Sequence, residues 1–428
     1  MAEDVKVPEG WDVSNLGKLA SFINGYAFKP EDWKEEGLPI IRIEQLKDPN
    51  AKYDYSDKKL PDIYLIDNGD LIFSWSATLA IKLWDRGKAY LNQHLYKVIP
   101  NSTIKRRFLK YLLEHKIEDL SKETHGSTMK HITRTFLLNF RVTYPKSKLE
   151  QYKIAEILET VDNAIEKTDR IIEKYKRIKQ GLMQDLLTRG IAESDELGVM
   201  SYELRDEKKH RFKDSPLGRI PEEWKVVELG EVADVRGGKR LPKGEDFAAS
   251  QTLFPYIRLV DIKGMNINLS AVKYIQEKTW KRIRRYTISK DDIMLSIAGT
   301  IGLVALIPEA LDGANLTENA AKLTTLRYFG KRFLAYYLTF HKAQRQIETL
   351  MGIVAQPKLA LFRIKQLKIP LPPLPEQHRI ASILSQIDEA IEKEQKYKEK
   401  LERIKRGLME DLLTGNVRVN HLIEKVEA

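Results

Sequence analysis

Two long stretches of the chain place apolar residues at alternating spacings of three and four. Ile154, Ile157, Val161, Ala164, Thr168, Ile171, Tyr175, Ile178 and Leu182 follow this rhythm in the first. Ile380, Ile383, Ile387, Ala390, Glu394, Tyr397, Leu401, Ile404 and Leu408 follow it in the second. Such spacing marks a coiled-coil seam, here with one clearly polar step in each copy, Thr168 and Glu394. Proline stands just before each stretch, Pro145 in one and Pro372, Pro373 and Pro375 in the other, and none interrupts residues 150–188. Proline is tolerated before or within a first turn and excluded deeper. Gly190 and Gly415 fit C-terminal caps. The pattern predicts helices over 148–190 and 374–415, rods of roughly 60 Å at about 1.5 Å per residue. A stripe of this kind needs a partner. An antiparallel pairing of the two helices closes most simply, with Ile154, Ile157, Val161, Ile171, Tyr175, Ile178 and Leu182 facing Ile380, Ile383, Ile387, Tyr397, Leu401, Ile404 and Leu408. The alternative is that both stripes face another chain. The charged outer faces, such as 173–177, read as solvated surface.

Elsewhere the periodicity is short. Leu71-Ile72-Phe73, Val98-Ile99 and Ile293-Met294-Leu295 are apolar runs bounded by Gly, Pro and Asp, and read as strands. Segments 105–120 and 331–350 read as amphipathic helices, with Phe108, Leu109, Leu112 and Leu113 on one face. Each of 8–145 and 220–372 is therefore expected to be an α+β domain with a curved sheet. Trp11 and Trp224 are assigned to the domain cores.

The chain repeats itself. Residues 150–188 align with 376–414 without a gap, and 23 of the 39 positions are identical. The preceding segments correspond more loosely: Trp11 with Trp224, Pro39-Ile40-Ile41-Arg42 with Pro255-Tyr256-Ile257-Arg258, and Asp70-Leu71-Ile72-Phe73-Ser74 with Asp292-Ile293-Met294-Leu295-Ser296. The order is domain, helix, domain, helix, with alike helices and unlike domains. Duplication for structure alone gives no reason to confine divergence to the domains. Two copies that read different things would.

Composition narrows what is read. Formal net charge is +11 over 428 residues, which favours a polyanionic partner, nucleic acid first. There is no cysteine, so disulfides and thiolate metal sites are excluded and a cytoplasmic setting is expected. No apolar run approaches the ~18 residues of a membrane span. Two loops correspond between the copies: 24–29 with 236–240, and 126–131 with 352–358. Lys and Arg in such loops neutralise phosphates, while Ser, Thr, Gln and Arg hydrogen-bond base edges. The candidate DNA-binding residues are Lys29, Arg42, Ser74, Thr128 and Lys130 in the first domain. In the second they are Lys239, Arg240, Arg258, Ser296, Gln356 and Lys358. Taken singly, each is an ordinary surface residue as readily as a contact; the case is for the set.

Catalytic motifs are missing. Gly238-Lys239 and Gly17-Lys18 lack the Ser or Thr of a phosphate-binding loop. There is no G-x-G-x-x-G after a strand and no Asn-Pro-Pro-Tyr or Asp-Pro-Pro-Tyr, and the eight histidines are scattered. No catalytic residue, bound cofactor or metal is expected on this chain.

The segment 369–377, Ile-Pro-Leu-Pro-Pro-Leu-Pro-Glu-Gln, followed by Ile380-Ala381 and the helix end Lys405-Arg406-Gly407-Leu408-Met409, resembles the specificity subunit of type I restriction–modification enzymes. Glu150-Gln151, Ile154-Ala155 and Gly181-Leu182-Met183 repeat the resemblance, with a degenerate proline run at 144–149. The resemblance implies a first target recognition domain (1–147), a central helix (148–190), a linker (191–219), a second target recognition domain (220–373), a distal helix (374–415) and a tail (416–428). It implies an α+β fold in which two similar domains, each a mixed sheet plus helices, are separated by an antiparallel coiled coil with pseudo-two-fold arrangement. Each domain would read one half of a split site in double-stranded DNA. The helices would fix the spacer and dock two modification subunits, which bind S-adenosylmethionine and methylate adenine. Restriction subunits using ATP and Mg would complete a nuclease. Two rivals stand beside this reading: a self-contained DNA methyltransferase or nuclease, and a coiled-coil scaffold that does not bind DNA.

Overall fold

The computed structural model describes residues 7–48, 50–76, 78–122, 132–196, 199–351 and 358–423. They form two compact units. The first comprises residues 1–170 and 395–428, the second residues 171–394. The expected long helices are present as Lys148–Leu186 and Leu374–Leu413, and each contributes to both units. The units are therefore not contiguous pieces of sequence. In the first, Leu412, Leu413 and Val419 share a core with Trp11, Phe108 and Ile154. In the second, Leu186 and Leu187 share a core with Trp224, Phe333 and Ile380. The last turn of one helix thus completes the apolar core against which the other helix begins.

Both units contain the same chain path. An entry strand carrying the core tryptophan pairs antiparallel with the strand that leads into a long helix: Trp11–Asn15 with Arg141–Pro145, and Lys225–Glu228, just after Trp224, with Lys368–Leu371. One antiparallel sheet runs Ala20–Asn24, Leu95–Pro100, Leu71–Ser74, Ala80–Leu83 in the first unit. Its counterpart runs Asp234–Gly237, Ala320–Thr324, Ile293–Ser296, Val304–Leu306. A second sheet has one parallel pair, Leu38–Ile41 beside Ala89–Leu91, matched by Pro255–Ile257 beside Ala314–Leu316. The mixed sheet expected from sequence is thus divided into two sheets.

This division explains the continuous apolar runs. Successive strand side chains point to opposite faces. Leu71 and Phe73 enter the core with the helix Arg106–His115, while Ile72 enters a separate core with Ile41, Trp84 and Leu91. Ile293 and Leu295 likewise part from Met294. A strand buried on both faces has no polar side to alternate with.

The segment read as a linker, 191–219, is not a plain connection. It opens with the hairpin Ile191–Glu196 and Val199–Leu204 in the second unit. The tail holds a short helix, Asn420–Ile423.

Burial along the two long helices departs from the expected stripe at some positions. Ile154, Val161, Leu182, Ile380, Ile387, Leu401 and Leu408 are buried or half-buried, as is Thr168. However, Ile178, Tyr397 and Ile404 are 38%, 49% and 41% exposed. Positions one residue further on are the more buried: Leu158, Leu186, Leu384 and Leu412 within the domain cores, and Ile172, Lys179, Lys398 and Lys405 along the rest of the helices. Ile157, Ile171, Tyr175 and Ile383 remain half-buried at the flank. Positions i+3 and i+4 lie on the same side of a helix, so a sequence apolar at both leaves the choice to packing. Three of the chosen positions are lysines, which a count of apolar residues passes over.

Those lysines are paired. In the first unit Lys398 meets Asp169 at 2.6 Å, and Lys405 meets Asp162 at 2.6 Å. As the first helix advances, its partners on the second recede, so the two run antiparallel. In the second unit Lys179 meets Asp388 at 2.6 Å. Asp162 also accepts the Tyr111 hydroxyl at 2.8 Å, and Asp388 that of Tyr336 at 2.7 Å. Burial pushes the Asp162 carboxyl up, but the Lys110 and Lys405 ammonium groups outweigh it and leave it below its ordinary value. Burial, reinforced by Asp162, drives the Tyr111 hydroxyl well above its ordinary value, so it stays a donor.

Candidate nucleic-acid interface and its anchors

Each long helix starts with the repeated Glu-Gln pair, and the structure gives each residue one task. Gln151 accepts from the Lys105 amide at 2.7 Å and donates to the carbonyls of Thr103 (3.1 Å) and Pro145 (2.9 Å). Gln377 accepts from the Gly330 amide at 2.9 Å and donates to Tyr328 (3.0 Å) and Pro372 (2.8 Å). The glutamine thereby ties the first helical turn to the loop preceding the domain's amphipathic helix.

The glutamate lies under the core tryptophan. Trp224 Nε1 donates to Glu376 at 3.0 Å, and Ile191 N donates to it at 2.9 Å. Arg205 closes the cluster with both terminal nitrogens on the carboxylate. In the first unit Trp11 Nε1 reaches Glu150 at 3.4 Å, and Arg418 grips it through Nε (2.7 Å) and Nη2 (3.0 Å). Sequence reasoning missed both arginines because they sit in the presumed linker and tail, at unlike offsets after their helices. Gly190 and Gly415 lie beside these clusters with φ of +64° and +76°, as helix caps require. A Cβ on Gly190 would stand 2.2 Å from a Glu376 oxygen, and one on Gly415 2.7 Å from Pro8.

On this frame the loops 24–29 and 236–240 are built alike. Gly25 N donates to Leu95 O and Tyr26 N to Leu91 O. In the second unit Gly238 N donates to Ala320 O and Lys239 N to Leu316 O. A Cβ on Gly25 would lie 2.2 Å from the Leu91 carbonyl, and one on Gly238 2.1 Å from the Thr317 carbonyl just past its strand. Glycine is therefore what lets the loop press against the sheet and turn its following residues outward. Lys29, Lys239, Arg240 and Lys358 are exposed. Lys29 lies 3.8 Å from Glu31, Arg240 lies 3.2 Å from Glu318, and the Lys239 ammonium stands 5.8 Å from the Tyr286 ring centre.

Four candidates do not sit as free surface groups. Ser74 and Ser296 are fully buried, and their hydroxyls donate to the carbonyls of Thr78 (2.7 Å) and Thr300 (2.6 Å). They hold the turn after a core strand, and no base edge can reach them there. Arg42 pairs with Asp54 at 2.8 Å and lies over Trp33. Arg258 forks onto the buried Asp261 and donates to Ala271 O. Both arginines serve first as ties between their strand and the next turn. Thr128, Lys130 and Gln356 lie outside the described residues.

The sequence reading also missed a basic cluster in the second unit. Lys281, Arg282, Arg284 and Arg285 are exposed at the end of the helix Glu277–Ile283. The run Lys281-Arg282-Ile283-Arg284-Arg285 was visible in sequence as a charge block. Among the described residues, no group of three or more His, Cys, Asp or Glu side chains is placed to hold a metal, and no helix is long and apolar enough to cross a membrane.

Comparison with known proteins adds an independent line. The family model described as the type I restriction modification DNA specificity domain matches residues 8–176 and 221–403. The MjaVIII specificity subunit of Methanocaldococcus jannaschii, a type I restriction enzyme component, is 27% identical, with 98% of this chain and 95% of that protein covered. A second specificity subunit from that organism, described as a putative MjaX component, is 29% identical over 97% and 95% of the two. The crystal structure of a type I restriction–modification S subunit from M. genitalium superposes with a TM-score of 0.60 at 17% identity, covering 96% of this chain and 98% of that one.

Proposed function

Because the chain belongs to the type I restriction–modification DNA specificity family, we propose that it reads a split double-stranded DNA site, each unit's domain taking one half. The observation that carries this reading is the contrast between scaffold and surface. The two units repeat the same Trp–Glu–Arg anchors, Gln ties and glycine-seated loops, yet their exposed side chains differ. Asn24-Gly25-Tyr26-Ala27-Phe28-Lys29 stands where the other unit has Arg236-Gly237-Gly238-Lys239-Arg240. Equal frames with unequal surfaces suit two readers of different sequences. The target is then asymmetric.

In this reading the long helices fix the spacer and dock two methyltransferase subunits. S-adenosylmethionine, ATP and Mg belong to partner subunits, which carry out methylation of an adenine flipped from the stack and, where restriction subunits join, cleavage. The chain contributes no catalytic group. The exposed Ile178, Tyr397 and Ile404 are apolar positions on the helices that a docked subunit would cover.

The test is to map methylated sites in cells carrying altered chains. Removing seven residues from each helix shortens both by about 10 Å, close to three base pairs against 34–36 Å per DNA turn. The preferred spacer is expected to shorten accordingly. An unchanged spacer refutes the ruler role. Exchanging residues 8–145 for another such domain is expected to change one half-site, and a change in both refutes modular reading. Methyl transfer by the purified chain alone would favour a self-contained enzyme. No DNA binding even with the methyltransferase subunit would favour a scaffold.

A further inference from the structure

We propose that the second unit supplies most of the sequence-independent hold on the DNA backbone, through a patch formed by Lys239, Arg240, Lys281, Arg284 and Arg285. This inference rests on the DNA-reading function proposed above and concerns how that function is divided.

The patch is assembled by three neighbouring backbone segments. Leu316 N donates to Tyr286 O at 2.9 Å, and Lys239 N donates to Leu316 O at 2.8 Å. Lys239-Arg240 and Arg284-Arg285 therefore flank one strand end, about 10 Å apart at ordinary strand spacing. The Lys239 ammonium leans toward the Tyr286 ring across this gap. Among the described residues, Arg284 and Arg285 have no carboxylate partner, and Lys281 meets only Glu277 of its own helix, at 2.8 Å. Exposed guanidinium groups without internal partners are available to phosphates.

The first unit has the same backbone there and different chemistry. Strand Leu65–Ile66 pairs with Ala89–Leu91 as Thr287–Ile288 pairs with Ala314–Leu316, so Tyr64 corresponds to Tyr286. The residues before Tyr64 are Asp62-Ile63, where the second unit has Arg284-Arg285. Tyr26 occupies the place of Lys239 and packs on Tyr64 with ring centres 5.5 Å apart. The neighbouring Lys58 is held by Asp32 at 2.8 Å. Charge follows the same division. Residues 220–373 hold 24 Lys and Arg against 15 Asp and Glu, whereas residues 8–145 hold 21 against 18. Net charges of +9 and +3 follow, so the excess lies on one side.

Salt dependence tests this directly. Binding of the full chain, with its methyltransferase subunits, to a duplex lacking the target is measured by anisotropy over a range of salt concentrations. Each phosphate contact contributes about 0.9 to the slope of log affinity against log salt. R284A/R285A is expected to lower that slope by about 1.8 and to weaken binding roughly tenfold at low salt. K34A/K59A, which removes two exposed lysines of the first unit, is expected to change the slope little. D62R/I63R is expected to steepen it. Circular dichroism confirms that the variants stay folded. Equal losses from K34A/K59A and R284A/R285A, or no loss from R284A/R285A while DNA still binds, overturn this inference alone. No DNA binding by the unaltered complex overturns both it and the function it rests on.

Discussion

Replacing Glu376 by glutamine tests how the second long helix is locked to its domain. The carboxylate receives the Arg205 fork, Trp224 Nε1 and Ile191 N, and both charged side chains are 7% exposed. Glutamine keeps the shape but removes the charge and turns one acceptor into a donor that faces other donors. Arg205 then stays buried with only Glu223, itself largely exposed and 3.3 Å from one guanidinium nitrogen, as counter-charge. Breaking a buried pair in this way costs about 3–5 kcal/mol. The matching change Glu150→Gln meets a looser site, because Arg418 is 29% exposed and can turn to water. A loss of charge-assisted hydrogen bonds there costs about 1–2 kcal/mol. At roughly 2–4 °C per kcal/mol for units of this size, E376Q should lower the melting midpoint by about 6–20 °C and E150Q by about half that or less. Scanning calorimetry on the full chain reads both. Replacing the pair together, R205M/E376M, should recover much of the loss, since apolar residues of similar volume leave no stranded charge. If E150Q destabilises as much as E376Q, or the double variant is no better than the single, the reasoning from burial is wrong.

Two further outcomes follow from the loop and the core. Gly238→Ala puts a Cβ 2.1 Å from the Thr317 carbonyl. It should displace Lys239 and Arg240, lower the melting midpoint and weaken DNA binding at least severalfold; an unchanged affinity would show that the loop does not face DNA. His115 is held below its ordinary pKa of about 6.5, chiefly by burial and then by Lys116. A depressed histidine favours the neutral form in the folded state, so stability should fall as pH drops through that ordinary value. H115Q should flatten the melting midpoint between about pH 7 and pH 5, and an equal slope in both proteins would count against it.

Much of this protein was written in its sequence. The gapless repeat of 150–188 in 376–414, the proline before each and the glycine after each made two long helices legible, because period and terminal signals are local features of the sequence. Loop correspondence also placed Lys29, Lys239 and Arg240 at the surface, since a glycine seated against a strand is a local requirement. Packing decided the rest. Whether Ile157 or Leu158 lies deeper depends on the domain core both pack against, and Lys179, Lys398 and Lys405 turn inward where Asp388, Asp169 and Asp162 meet them. Ser74 and Ser296 read as surface hydroxyls until a second sheet covers their strand. Arg205 and Arg418 gain their meaning from glutamates 171 and 268 residues away. A sequence displays the period of each element, but the partner that satisfies a buried charge comes from elsewhere in the chain, and only folding brings the two together.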